Sequence, residues 1–297
     1  MAGLNKEIWL QQIMEAYRQK LGWMNQLEDM SAFVENNTIN LSEAGVDPAV
    51  LVNNTTYPVA FAERADTPYA IPLDVLDTEG TVIRNARLIE LSYDKMASVT
   101  RGHVNALQQF GGRRSSHAIS PAANGTNTPV IGTSGADNGS GFKLITEDDI
   151  AKLAGLYDAI DAPDEGRILV LHPTMFNELI RTSPTLKEQR YRSAEGKINA
   201  VMYELFGFQI EKFRSAAVYN KTTGAKKAWG AAAAPATDTI SSFGFVKGEV
   251  MKAIGDYEMF ERLNDPEQKG DIVNFQQRFI SMPKRNKFIS AIYAAAV

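Results

Sequence analysis

Three prolines, Pro58, Pro68 and Pro72, punctuate the stretch from Asn53 to Leu91, whose residues otherwise alternate as strands do. Tyr57, Val59 and Phe61 alternate with smaller or polar neighbours, and Ile71, Leu73 and Val75 repeat the pattern. Proline has no N–H to give to a ladder, so strands that carry it lie at a sheet edge or form a two-stranded ribbon. The turn formers of Arg64-Ala65-Asp66-Thr67-Pro68 separate the two runs, and Asp77-Thr78-Glu79-Gly80 marks a second turn. A ribbon of two strands is marginal alone and cannot bury both its faces. Its cover is either its own domain, as for a surface hairpin, or something else.

The rest of the composition narrows the function. With 297 residues the chain has about two domains' worth of length, and 44% hydrophobic with 22% charged residues is ordinary for a globular protein. Lys and Arg number 31 against 35 Asp and Glu, a formal charge of -4, so the basic surplus of a dedicated nucleic-acid grip is missing. There is no cysteine, which excludes disulfides, thiolate metal sites and a catalytic thiol. His103, His117 and His172 are far apart in sequence, and no GxSxG, P-loop, GxGxxG or kinase set occurs. The expectation is a non-enzyme with no catalytic residue, cofactor or metal. The N-terminus lacks the apolar run of a signal peptide, and Ala231 to Ala234 and Ile289 to Val297 are too short to cross a bilayer. A soluble product kept in a cytoplasm, or in something assembled there, is expected, with no membrane partner.

Residues 4–30 read as one or two amphipathic helices, with Ile8, Ile13, Tyr17, Leu21, Met24 and Leu27 on a stripe. Such a stripe serves either its own core or a neighbouring subunit. Ser31 to Ile39 alternates like a strand. Ser92 opens a helix whose stripe is Met96, Val99, His103, Ala106, Leu107 and Phe110, and Gly111-Gly112 is expected to stop it. His103 on that stripe reads as structural. Residues 111–143 are rich in Gly, Asn, Thr and Pro and read as a flexible surface loop; Gly132, Gly135, Gly139 and Gly141 have no phosphate-loop spacing.

Thr146-Glu147-Asp148-Asp149 is a capping box for a helix to about Ile160. Arg167-Ile168-Leu169-Val170-Leu171 is a continuous apolar strand, buried on both faces, leading through His172-Pro173-Thr174 into a helix from Met175 to Ile180. Gly207 to Phe213 is a strand, 220–238 a low-complexity loop, and Phe243 to Val246 a short strand or helix lead. Strand patterning returns from Tyr257 to Leu263, from Asp271 to Met282 across a turn at Asn264-Asp265-Pro266-Glu267, and from Phe288 to Ala295.

Certain stretches carry a resemblance. Asn5-Lys6-Glu7-Ile8-Trp9-Leu10 with Asp29-Met30-Ser31-Ala32-Phe33-Val34-Glu35-Asn36 resembles the arm of major capsid proteins of tailed bacteriophages, in particular those of phages infecting Bacteroidetes-type hosts. Asp77-Thr78-Glu79-Gly80-Thr81-Val82 running into Leu91-Ser92-Tyr93-Asp94-Lys95 is similar to the same family. So is Gly166-Arg167-Ile168-Leu169-Val170-Leu171 followed by His172-Pro173-Thr174-Met175-Phe176. The resemblance implies an α+β fold of the Hong Kong phage type: an N-terminal arm over 1–45, an extended β-hairpin loop over 46–91, a peripheral domain with a spine helix over 92–159, an α/β apical domain over 160–245, and peripheral strands again over 246–297.

It also implies a structural protein of the virion capsid, assembled in the host cytoplasm from homo-hexamers and pentamers around double-stranded DNA. Portal, scaffolding or decoration proteins are implied partners, and the packaged DNA would be held weakly and without sequence specificity. With Met1 almost directly on the arm, a separate scaffolding protein or none is expected. On the same reading Ile8, Trp9, Tyr17, Leu21, Tyr57, Phe61, Arg64, Tyr69, Arg84 and Arg87 face neighbouring subunits. Some relatives link an extended-loop lysine to a neighbour's asparagine; no lysine lies between Lys20 and Lys95, so non-covalent closure is expected. An encapsulin-like nanocompartment shell and an ordinary α/β enzyme or binding protein are the alternatives.

Overall fold

The computed structural model describes residues 21–43, 50, 52–55, 58, 67–84, 95–184 and 203–297. In chain order come β1 (Glu28–Asp29), β2 (Val34–Glu35), β3 (Thr38–Glu43), β4 (Thr67–Pro72), β5 (Asp74–Asp77), β6 (Thr81–Arg84), helix α1 (Lys95–Ile119) and β7 (Val130–Gly132). Helix α2 (Glu147–Asp158), β8 (Arg167–Leu171), helix α3 (Pro173–Thr182), β9 (Tyr203–Leu205) and β10 (Phe208–Lys212) follow. Then come β11 (Tyr219–Asn220), β12 (Asp238–Thr239), β13 (Ser241–Val246), β14 (Val250–Asp265), β15 (Gly270–Pro283) and β16 (Ile289–Tyr293).

A six-stranded sheet in the order β7-β16-β13-β8-β10-β9 is the centre of the molecule. β8 runs parallel to β10 and antiparallel to β13, and all five of its residues are buried. Its alternate side chains serve two cores, which is why the run is apolar throughout. Leu169 and Leu171 join Ile150, Leu153 and Tyr157 of α2 and Met175, Phe176 and Leu179 of α3. Ile168 and Val170, with Phe243 and Phe245 of β13, meet Val104 and Leu107 of α1, Phe275 and Phe279 of β15, and Trp23. The capping box forms as expected: Asp149 N donates to Thr146 Oγ1, and the Asp149 carboxylate accepts from Thr146 N at 2.9 Å. Arg167, buried at the start of β8, donates to the Ala162 and Pro163 carbonyls and pairs with Asp158 at 2.7 Å and Asp164 at 2.9 Å, tying the end of α2 to the sheet.

The second sheet is built on the long hairpin β14–β15, with β1 on one edge and β5 and β6 on the other. β5 and β6 pair end to end along the same strand, so Asp77 to Gly80 does not reverse the chain. It is an interruption, in which Thr78 N and Oγ1 both donate to Phe275 O. The proline-bearing ribbon also differs from expectation. β4 pairs with β3, Thr38 opposite Pro72 and Glu43 opposite Thr67, and β2 completes a three-stranded sheet with β4 at its edge. Pro68 and Pro72 thus occupy an edge strand, but its partner comes from 38–43, which the sequence reading assigned to the arm. Tyr57, Val59 and Phe61 lie outside the described residues.

α1 differs most from expectation. Gly111-Gly112 does not stop it; the helix continues to Ile119. A Cβ on Gly112 would sit 3.0 Å from Leu21 Cδ1 and 3.4 Å from Phe213 Cζ, so the glycine lets the helix seat against both. The buried stripe runs through Thr100, His103, Val104, Leu107, Gln108, Ser115, Ser116 and Ile119. Ala106 and Phe110, placed on the inner stripe from sequence, are exposed.

After α1 the chain is pinned: β7 runs parallel to β16, Val130 N donates to Asn124 Oδ1 at 2.9 Å, and Thr133 Oγ1 donates to Lys143 O at 2.7 Å. The flexible loop expected over 111–143 is therefore helix as far as Ile119, then irregular chain anchored by these bonds around the short strand β7. β13 is a central strand, and Gly244 makes that possible, since a Cβ there would lie 2.6 Å from Ser290 Oγ of β16. β7, α2 and β16 all belong to the unit around the six-stranded sheet.

Residues 21–30 are not the expected α-helix either. Trp23–Gln26 is a 3-10 turn, and β1 follows, pairing parallel with Met251 and Lys252. The strand read over Ser31 to Ile39 is broken by a second 3-10 turn at Ser31–Phe33 before β2 and β3. Trp23, 1% exposed, meets Phe243 at 5.1 Å and Phe213 at 5.4 Å edge-on. This part of the arm is core.

Truncating Trp23→Ala is expected to cost about 3–5 kcal/mol in urea unfolding, as deletion of a buried aromatic does. Trp23→Phe should cost much less, because the indole N–H has no hydrogen-bond partner to lose. A pH dependence follows from His103, buried on α1 with its ring 5.1 Å from Phe275. Burial pushes its imidazole below the ordinary value, so the unfolded chain takes the proton first as pH falls through about 6.5. His117 and His172 shift the same way. Melting temperature should therefore hold above about pH 7 and decline toward about pH 5.5, and His103→Gln should flatten part of that decline.

Candidate assembly surface

The period of α1 turns Val99, Ala106 and Phe110 away from the core and toward β5. Together with Val75 and Leu76 they wall an open groove of about 750 Å³, rimmed by Asp77 and Glu79. Gly102 sits in this wall, and a Cβ there would meet nothing within 4 Å. One turn past Phe110, Arg114 donates from Nε at 3.0 Å to Asp74 Oδ2 and pairs with it through Nη2 at 2.9 Å. A second groove, about 1070 Å³, lies between the β3–β4 ribbon and the end of β15. Leu41, Tyr69 and Ile71 line one side, Met282 and Pro283 the other. Tyr69 is 48% exposed there.

Beyond α1, the low-complexity loop expected over 220–238 is pinned at both ends by hydrogen bonds. β11 pairs with β12, the Lys227 ammonium pairs with the Asp238 carboxylate, and Ala234 N donates to the same carboxylate at 2.6 Å. These bonds hold the Asp238 carboxyl below its usual range. The loop lays Trp229 against Phe110 at 5.7 Å and His117 at 5.4 Å, with the Arg114 guanidinium 5.5 Å over the ring. Lys226 Nζ donates to His117 O at 3.0 Å and Ser120 O at 2.5 Å, and burial lowers its pKa. Its amine is thus taken up by the end of α1. Trp229, partly exposed, was not singled out from sequence; only an aromatic isolated in a small-residue stretch marked it.

Of the residues expected to face neighbours, Ile8, Trp9, Tyr17, Tyr57, Phe61, Arg64 and Arg87 lie outside the described residues. Leu21 is half-buried against its own chain's core, beside Gly112. Tyr69 is on the exposed edge strand, and Arg84 ends β6 opposite Gly270. Exposed apolar side chains not named as neighbour-facing from sequence include Phe33, Val75, Phe110, Phe206, Phe260 and Leu263. Single exposed apolar residues are ordinary, but the described residues also leave two apolar grooves open and an aromatic exposed toward the end of the β14–β15 hairpin.

Among the described residues no group of three His, Cys, Asp or Glu could hold a metal ion, and no helix is long and apolar enough to cross a membrane. His172 caps α3, with Nδ1 accepting from Thr174 N at 3.3 Å, and His117 meets Lys227 O at 2.9 Å.

No family model and no curated protein matches the chain. Solved structures do. The capsid of the cyanophage P-SCSP1u aligns over 92% of this chain and 87% of its own, at 19% identity and a TM-score of 0.64. The capsid of Ralstonia phage GP4 covers the same shares at 9% identity and a TM-score of 0.66. A virus-like particle from Pyrococcus furiosus aligns over 97% and 99% at 12% identity and a TM-score of 0.58. The α+β architecture, with a helix wedged between two sheets and a long hairpin at one end, is the tailed-phage capsid fold.

Proposed function

We propose that the chain is a major capsid protein, a structural subunit that assembles through hexamers and pentamers into an icosahedral phage head around double-stranded DNA. The observation that carries this reading is the surplus of apolar surface on a shell-protein fold: the α1–β5 groove, the ribbon groove and the exposed hairpin end. Burial at about 25 cal/mol/Å², repeated around closed rings, would supply the assembly energy. A formal charge of -4 suits a container that must let go of its DNA. Portal and scaffolding or decoration proteins would complete the head in the host cytoplasm. The extended-loop lysine of cross-linked relatives is absent, and Arg64, Arg84 and Arg87, which stay protonated, would pair with carboxylates or carbonyls across subunit boundaries instead.

An encapsulin-like shell is the second reading, favoured by the near-complete overlap with the Pyrococcus virus-like particle. Expression of the chain alone, followed by size exclusion and electron microscopy, tests the shell reading: closed or tubular particles support it, and a small globular species contradicts it. Nuclease-resistant DNA in particles from infected cells separates a phage head from an enzyme compartment.

Deleting residues 1–20 should leave a folded subunit with poor assembly, whereas removal of 1–30 should also cost the fold, since Trp23, Met24 and Leu27 are core. Circular dichroism with particle yield distinguishes the two; normal particles from the shorter deletion would make the arm dispensable. Mature particles heated in SDS should run as one band near 32.7 kDa. A ladder of multimers would mean that a lysine elsewhere links the shell.

A further inference from the structure

Among the described residues β14 is an open edge for most of its length. β1 covers only Met251 and Lys252; Met30 N donates to Lys252 O at 2.9 Å, and Ser31 Oγ accepts from Ile254 N at 3.0 Å. Past that point no strand among the described residues lies on this side of β14. Two register shifts, between Ile254 and Tyr257 and between Arg262 and Asp265, enclose a regular run from Tyr257 opposite Gln277 to Arg262 opposite Ile272. Folded proteins seldom leave such an edge open without guarding it.

The side chains on this run are self-complementary. The two-residue period puts Glu258, Phe260 and Arg262 on one face, and all three are exposed. Phe260 is 48% and Leu263 54% exposed. In an antiparallel pairing centred on Phe260, each Glu258 stands opposite Arg262 of the other copy, Phe260 faces Phe260, and Tyr257 faces Leu263. Opposite charges and aromatic pairs at facing positions stabilise a ladder. Shifting the register by one residue sets Glu258 against Glu261, and centring it on Glu261 sets that residue against itself. Arg262 already meets Asp265 Oδ2 through Nη1 at 3.1 Å, but at 68% side-chain exposure its other donors are free to reach a neighbour.

We infer that the Tyr257–Leu263 edge of β14 pairs with the same edge of a second copy, antiparallel about Phe260, across a local two-fold axis. The inference rests on the shell reading for the setting in which copies meet, and it names one of the contacts that reading requires. A closed two-fold contact needs one surface complementary to itself, and Glu-x-Phe-x-Arg on a strand edge meets that condition.

The test is a charge swap. Glu258→Arg and Arg262→Glu each place like charges opposite one another, and should lower particle yield at least about tenfold while circular dichroism stays unchanged. The double variant restores opposite charges and should return yield to within about threefold of wild type. Phe260→Cys adds the chain's sole cysteine, and facing Cα atoms in such a ladder lie about 4.5–5.5 Å apart, within disulfide reach. Oxidised particles should therefore give a covalent dimer on a non-reducing gel.

Normal particles from both single variants, no rescue in the double variant, or no dimer from Phe260→Cys would each overturn the pairing and leave the shell reading standing. A wild-type chain that stops at dimers, with the same response to the swap, would keep the pairing and sink the shell. A wild-type monomer would end both.

Discussion

Burial of β8 and β13 on both faces is the constraint from which the remaining architecture follows. A sheet with two apolar faces must be covered twice. Helices α2 and α3 cover one side with Ile150, Leu153, Tyr157, Phe176 and Leu179. The other side faces the seam where α1, the β14–β15 hairpin and Trp23 converge. That seam is shared, so Phe275 and Phe279 of the hairpin sheet lie in the same core as Ile168 and Val170 of the six-stranded sheet. The two sheets therefore hold one another in place through one shared core, which α1 and Trp23 complete.

Such a seam leaves the far parts of the molecule thinly supported. The outer edge of β14 runs on beyond β1, the ribbon β3–β4 has an edge carrying prolines, and α1 presents Val99, Ala106 and Phe110 to an open groove. Each is a place where the described residues leave apolar surface or a strand edge uncovered. In a solitary protein these would be liabilities. In a tile they are joints.

The legible parts of the sequence were those with a strong local cause. The Thr146–Asp149 capping box, the unbroken apolar run Arg167 to Leu171 and the hairpin turn around Asn264 each state their conformation in a few residues. The misread parts owed their form to distant partners. Gly111-Gly112 looks like a helix stop until Leu21 and Phe213 are seen filling the space beside it. The inner stripe of α1 carries Thr100, Gln108, Ser115 and Ser116, so apolar periodicity pointed instead to Ala106 and Phe110, which are exposed. Trp23 read as part of an arm because the aromatic cage that receives it comes from Phe213, Phe243 and Phe245, some two hundred residues later. Of the candidate site, Tyr69 was legible from its edge strand, whereas Phe260 and Leu263 were not, since an exposed aromatic on a strand has the same alternation as a buried one.

The central claim is that copies of this chain cover the surfaces it leaves open. Hydrogen exchange of free subunits and of assembled particles tests it most directly. The account expects amides of β4 around Tyr69 and of β14 from Tyr257 to Leu263 to gain protection on assembly, while β8 and β13, already buried, change little. Particles in which the β4 and β14 segments exchange as fast as in the free subunit would contradict it.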